Sequence, residues 1–295
     1  MTWEFSLAGF FVGILVGMTG MGGGSLMTPM LILLFGFNAK VAVGTDILHG
    51  AIFKSFGALR HRRLGTVHAR LTAWMFLGSG PLSLAGVGVA TLIKHHYGET
   101  AQTVESYAVG AALVIGGLGF LAKSFLKRGI RPDDSPFLLT RRDKVIALAI
   151  GAVFGFVVGL TSVGSGTFFG LVMVLVYPLT MPKIVGTDIF HAAALLWVAG
   201  VGHMVAGNVD YHATLWLLTG SIPGVLISSR FTVKMPDVIL RVALGTILML
   251  SGLKLLEVPQ SQWILLGGLI ALGVGLAAYG VRAWLARPNI QTASS

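Results

Sequence analysis

The sequence predicts an all-α polytopic membrane protein. Its expected plan is two inverted repeats, each a glycine-broken re-entrant hairpin plus three spanning helices, with one extra C-terminal span. Three observations carry this. The chain is 55% hydrophobic and only 11% charged, against roughly 25% charged in a soluble domain. It repeats itself at a fixed spacing. Its Lys and Arg residues fall between apolar runs, with a consistent sidedness.

Composition comes first. A chain this apolar cannot cover itself with polar groups, so lipid must be the solvent for much of it. Forty-one glycines fit the same picture, because glycine lets membrane helices approach closely. The net charge of +10 lies in loops, so it is read as topology and no nucleic-acid partner is expected. The absence of cysteine removes disulfides, thiolate chemistry and Cys-ligated metals. Met1–Ser6 holds Glu4 and no Lys or Arg, so a cleaved signal peptide is not expected.

The repeat is visible without gaps. Gly17-Met-Thr-Gly-Met-Gly-Gly-Gly24-Ser25 matches Gly159-Leu-Thr-Ser-Val-Gly-Ser-Gly166-Thr167. Val43-Gly-Thr-Asp46-Ile-Leu-His49 matches Val185-Gly-Thr-Asp188-Ile-Phe-His191. Trp74, Gly78, Ser79 and Pro81 match Trp216, Gly220, Ser221 and Pro223. Each pair is separated by 142 positions, as from Gly17 to Gly159 and from Asp46 to Asp188.

Elements follow in order. Segments 5–39 and 145–182 hold no Asp, Glu, Lys or Arg. Each is too long for one span of roughly 20 residues and too short for two with a turn. Each is broken near its middle by glycine, so each is read as two half-helices meeting inside the membrane; two short, tilted spans are the alternative. Further spans are expected near 43–60, 71–93, 105–122, 184–206, 212–229, 239–256 and 263–281. The basic segments 60–70 and 123–144 lie two spans apart and share a side, taken as the cytoplasm. Counting on, the N-terminus falls outside, the C-terminus inside, and the two repeats are inverted. The expected units are 1–122 (first repeat), 123–144 (basic cytoplasmic linker), 145–256 (second repeat) and 257–295 (extra span and tail). Inverted repeats with broken helices recur in secondary transporters, with the site at the midplane between repeats.

A glycine-rich break, then Val-Gly-Thr-Asp, then Gly-Ser-x-Pro, all duplicated, resembles the sulfite exporter TauE/SafE family, also called the toluenesulfonate uptake permease family. The stretch Ile184–His191, Gly200-Val-Gly-His203, Gly207-Asn-Val-Asp210 and Gly220-Ser-Ile-Pro-Gly224 carries the resemblance most strongly. It covers about residues 5–281. What it implies is a permease of the bacterial cytoplasmic membrane for sulfur oxyanions or organosulfonates. The first repeat departs at one point, with His68 where the second has Asp210.

The residues that would carry the chemistry are these. Gly22, Gly23, Gly24 and Ser25, and Gly164, Ser165, Gly166 and Thr167, form the two turns. A helix N-terminus there offers free N–H groups and partial positive charge, which suits a sulfonate or sulfite oxygen. Close helix packing is the competing reading of these glycines. Thr19, Thr161, Thr45 and Thr187 can donate hydroxyls to the anion. Ser79 and Ser221 are better read as helix–helix bonds. Asp46 and Asp188 lie in apolar spans, where a carboxylate costs roughly 2.5–3.5 kcal/mol and is functional by default. They would carry a coupling proton or bind Na⁺, or each would cap its own helix. His49 and His191, three residues on, share a helix face with their Asp and would relay protons or be satisfied packing residues. Lys54 would neutralise the anion or an Asp, or snorkel to the cytoplasmic side; snorkelling is preferred. Neither a metal site nor a cofactor is expected, since each repeat supplies two candidate ligands and no Cys. The expected function is secondary transport of a small sulfur-containing anion, with lipid, the anion and H⁺ or Na⁺ as partners. A passive anion channel, an intramembrane enzyme and a structural scaffold are the alternatives. No Walker-type loop is present to bind ATP.

Overall fold

The structure, a computed structural model, describes residues 3–19, 24–97, 100–125, 137–166, 168–228 and 237–285. Eleven helices occur among them: α1 (Trp3–Thr19), α2 (Gly24–Leu33), α3 (Ala39–Arg63), α4 (Ala69–Tyr97), α5 (Ala101–Phe125), α6 (Arg141–Thr161), α7 (Phe168–Val176), α8 (Met181–Val205), α9 (Tyr211–Ser228), α10 (Asp237–Leu255) and α11 (Ser261–Leu285). α4, α5, α6 and α8 contain stretches long and apolar enough to cross a membrane. α3 is more polar, with Asp46, His49 and Lys54 inside it and Arg60, Arg62 and Arg63 at its end.

Local chemistry sets the helix ends. Thr140 and Asp143 form a capping box at the start of α6, each side chain accepting the other's backbone N–H. α3 and α8 both end on a glycine in the left-handed region, Gly65 and Gly207, each at φ 67°. Thr66 N then bonds to His61 O and Asn208 N to His203 O, which satisfies carbonyls the helix would leave bare. The next helices are capped by different side chains doing one job. Asp210 Oδ1 accepts from Ala213 N at 2.9 Å, and His68 Nδ1 accepts from Leu71 N at 3.1 Å. The departure at His68 therefore leaves the repeat's geometry intact.

The spans starting near 43, 71, 105, 184, 212, 239 and 263 match α3, α4, α5, α8, α9, α10 and α11 within a few residues. Each glycine-broken segment forms two helices of unequal length. α6 has 21 residues and α7 only 9, about 31 and 14 Å at 1.5 Å per residue. α1 and α2 have 17 and 10. Each segment is one long arm and one short arm.

Packing crosses between the repeats. α1 packs along α9, and α6 along α4. Glycine makes this possible: Gly9 and Gly13 lie on the backbone of Leu217 and Ser221, and Gly151 and Gly155 on that of Met75 and Ser79. α3 lies against α8 and α5 against α10. Their contacts run in opposite directions along the chain. Gly57 meets Ile189, Gly50 meets Leu196, and Gly200 meets Ile47. Likewise Gly110 meets Gly252 and Gly117 meets Gly245.

Candidate functional site

The site forms where the second glycine break reaches α3. After α6, Ser162 turns the chain in the left-handed region (φ 62°), and Gly164 and Gly166 follow at φ 118° and 115°. Those two angles are ones side chains other than hydrogen rarely tolerate. Thr161 closes the turn locally, donating to Val157 O at 2.7 Å and accepting from Val163 N at 3.2 Å. Ser162 and Ser165 are buried at 2% and 1% exposure, and both point across to the other repeat.

Ser162 Oγ donates to Asp46 Oδ2 at 2.8 Å. The same oxygen accepts from Thr28 Oγ1 at 2.6 Å and Thr28 N at 3.2 Å. Three donors thus converge on one carboxylate oxygen. Asp46 Oδ1 has no hydrogen-bond partner among the described residues. Thr28 lies in the first turns of α2, so the carboxylate sits at that short helix's positive end. One side chain on α3 therefore ties α2 to the turn between α6 and α7.

Own-helix capping by the aspartates is overturned. Asp46 lies seven residues past the first residue of α3, and Asp188 seven past that of α8. Asn38 and Thr180 occupy the two N-cap positions. Both aspartates are buried in helix interiors.

The remaining predicted residues separate into bonds that repeat and positions the structure leaves out. His49 Nε2 pairs with Ser221 Oγ, and His191 Nε2 with Ser79 Oγ, each at 2.9 Å. Asp46 and His49 share a helix face but bond to different partners. Thr45 Oγ1 accepts from Asp210 N at 3.0 Å and Thr187 Oγ1 from His68 N at 2.9 Å. These hydroxyls stitch α3 to the start of α9, and α8 to the start of α4. Gly22, Gly23 and Thr167 lie outside the described residues. Thr19 ends α1, and Gly24 and Ser25 open α2; the side chains of Thr19 and Ser25 also lie outside the description.

Lys54 does not snorkel. It is 3% exposed, and its ammonium donates to Ser165 O at 2.8 Å and Ser165 Oγ at 2.9 Å. Thr28 and Ser162 were missed by the sequence reading. Adding or subtracting the 142-residue spacing pairs them with Gly170 and Gly20, so a search for repeated residues passes over both. The signal available was the reverse: a hydroxyl in one repeat where the other has glycine.

A small cavity of about 10 Å³ opens beside these groups, between α1, α2 and α3, with Met27, Asp46, His49, Phe53 and Lys54 in its wall. It has room for about one water and none for a polyatomic anion. A larger apolar groove of about 460 Å³ lies between α5, α6 and α7, against Ile115, Gly119, Phe154, Phe168 and Leu171.

Comparison with known proteins agrees with the repeat motifs. The sulfite exporter TauE/SafE family matches residues 5–255. The chain is 38% identical over 250 residues to the probable membrane transporter protein YjnA of Bacillus subtilis, covering 85% of this chain and 98% of that one. It is 25% identical over 248 residues to the probable membrane transporter protein YdhB of the same organism, covering 84% and 97%. It is 23% identical over 269 residues to the probable membrane transporter protein MJ0441 of Methanocaldococcus jannaschii, covering 85% and 93%. No solved structure matches. With its duplicated motifs, its apolar helices and a family match across nearly all of its length, the chain belongs to the sulfite exporter TauE/SafE family of membrane transporters.

Proposed function

We propose that this protein is a secondary transporter that moves a small sulfur-containing anion, such as sulfite, thiosulfate or an organosulfonate, across the cytoplasmic membrane. The substrate class follows the family's description. The mechanism follows from one observation: Asp46 on α3 holds Thr28 of α2 and Ser162 of the α6–α7 turn through a single carboxylate oxygen. That joint connects one repeat to the other at the level of the glycine break.

The repeats are inverted in this reading. Equivalent helices α3 and α8 run in opposite directions where they meet, as do α5 and α10, and this supports a two-fold axis in the membrane plane. The N-terminus is placed outside and the C-terminus in the cytoplasm. Transport rocks one repeat against the other and exposes the midplane site to each side in turn. Among the described residues, the cavity beside Asp46 and Lys54 has space for only about one water, and in this reading it widens to admit the substrate. The apolar groove behind α6 and α7 leaves the second hairpin room to shift. Gain or loss of a coupling ion, H⁺ or Na⁺, at Asp46 and Asp188 would loosen the joint.

A passive anion channel would use the same turns without a titrating carboxylate. Flux into proteoliposomes separates the two. Sulfite, thiosulfate and small sulfonates are offered in turn, with and without imposed pH and Na⁺ gradients. Accumulation of one anion that follows a gradient supports the coupled transporter. Flux indifferent to both gradients supports the channel, and failure of all of these anions removes the substrate class.

A further inference from the structure

We propose that Lys54 is the cation that meets the substrate, and that Ser165 holds its ammonium where the anion's oxygens would sit. The inference rests on the reading above that the site carries an anion, and adds the residue that binds it.

A buried ammonium needs a reason. Lys54 lies mid-helix at 3% exposure, where a charge is costly to bury. Its counterpart in the second repeat, 142 residues on, is Leu196, which packs on Gly50 of α3. The symmetric scaffold therefore accepts an aliphatic side chain at this position.

The hydrogen-bond partners of Lys54 are neutral, and its counter-charges are the buried carboxylates of Asp46 and Asp188. Its hydrogen bonds, among the described residues, go to the carbonyl and hydroxyl of Ser165, which are neutral oxygens. Its charge acts on Asp46 and Asp188, and on His49 and His191. It is thus the shared positive charge of the α3–α8 junction. Lys54 also lines the small cavity with Asp46 and His49. A lysine suits a site that must let go: its ammonium is a point charge with three rotatable donors, not a fixed fork.

Ser165 is built to give way. It sits between Gly164 and Gly166, at φ 118° and 115°, on the turn joining α6 to α7. Movement of that turn away from α3, beyond the reach of the lysine stem, breaks both bonds to Lys54. The ammonium is then left facing the widened cavity, with two donors for an incoming anion. When the anion leaves, the serine oxygens replace it.

The chain has no cysteine, so Lys54→Cys introduces the single thiol of the protein. The variant is reconstituted in liposomes and treated with 2-aminoethyl methanethiosulfonate, which rebuilds an ammonium on the side chain through a disulfide. Methyl methanethiosulfonate adds a neutral group as the control. We expect the aminoethyl reagent to label the thiol. Uptake of methanesulfonate is lost in the variant, returns after the aminoethyl reagent, and does not return after the methyl reagent. Lys54→Leu, the second repeat's own residue, is the fold control and stays folded without uptake. No labelling, or no return of uptake after the aminoethyl reagent, overturns the proposal. So does wild-type uptake by Lys54→Leu, while leaving the sulfonate reading intact. Restoration by the aminoethyl reagent of phosphate or acetate uptake, but of no sulfonate uptake, upholds Lys54 and removes the sulfur substrate class.

Discussion

At the scale of single residues, the joint at Asp46 makes two testable demands. One oxygen of its carboxylate takes three hydrogen bonds, and an asparagine carbonyl can take the same three. Asp46→Asn is therefore expected to fold and melt close to the parent while losing gradient-driven uptake. Uptake that still follows the gradient would remove Asp46 from coupling. Thr28→Val deletes one hydroxyl donor to a buried carboxylate, a loss of about 1–3 kcal/mol. Its unfolding midpoint, followed by tryptophan fluorescence in detergent, should drop. An unchanged midpoint would mean that water or another group takes the donor's place. The aspartates were legible as sequence, because a carboxylate in an apolar run is conspicuous. Their partners were not, since Thr28 and Ser162 come from distant segments and break the repeat instead of obeying it.

At the scale of elements, the glycine break is a backbone device. Gly164 holds φ 118°, and a methyl group there would also press on the ring of Phe168. Gly164→Ala should destabilise by about 1–3 kcal/mol and reduce uptake, whereas Gly88→Ala, with open space around it, should do neither. Equal behaviour of the two variants in a thermal melt would sink the argument for a strained turn. Spans and their ends were readable from charge and hydropathy, which are local properties. The unequal arms of the broken segments were not, because nothing local in 145–182 says that the first arm keeps 21 residues and the second 9. Own-helix capping by Asp46 failed for a similar reason. α3 begins at Ala39, a full two turns before Asp46, and its weakly apolar first residues gave no sign of it.

At the scale of the molecule, inversion has a direct test. Arg63 and Val205 are equivalent positions, both exposed, at the ends of α3 and α8. Arg63→Cys and Val205→Cys should react with a membrane-impermeant maleimide from opposite sides of the membrane. Reaction from the same side would make the repeats parallel and end the alternating-access reading. The duplication that predicts this plan was plain in the sequence. What it could not reveal is how the halves interlock, with α1 lying along α9 and α4 along α6.

That interlocking bears on how the protein is made. When α1 leaves the ribosome, the helix that will cover its glycine face is still eight helices from being synthesised. The first half must wait in the bilayer, unfinished, until α6 and α9 arrive. Cutting the gene between 123 and 144 should therefore yield two fragments that are each degraded when expressed alone. Expressed together, they should find one another and protect each other from proteolysis.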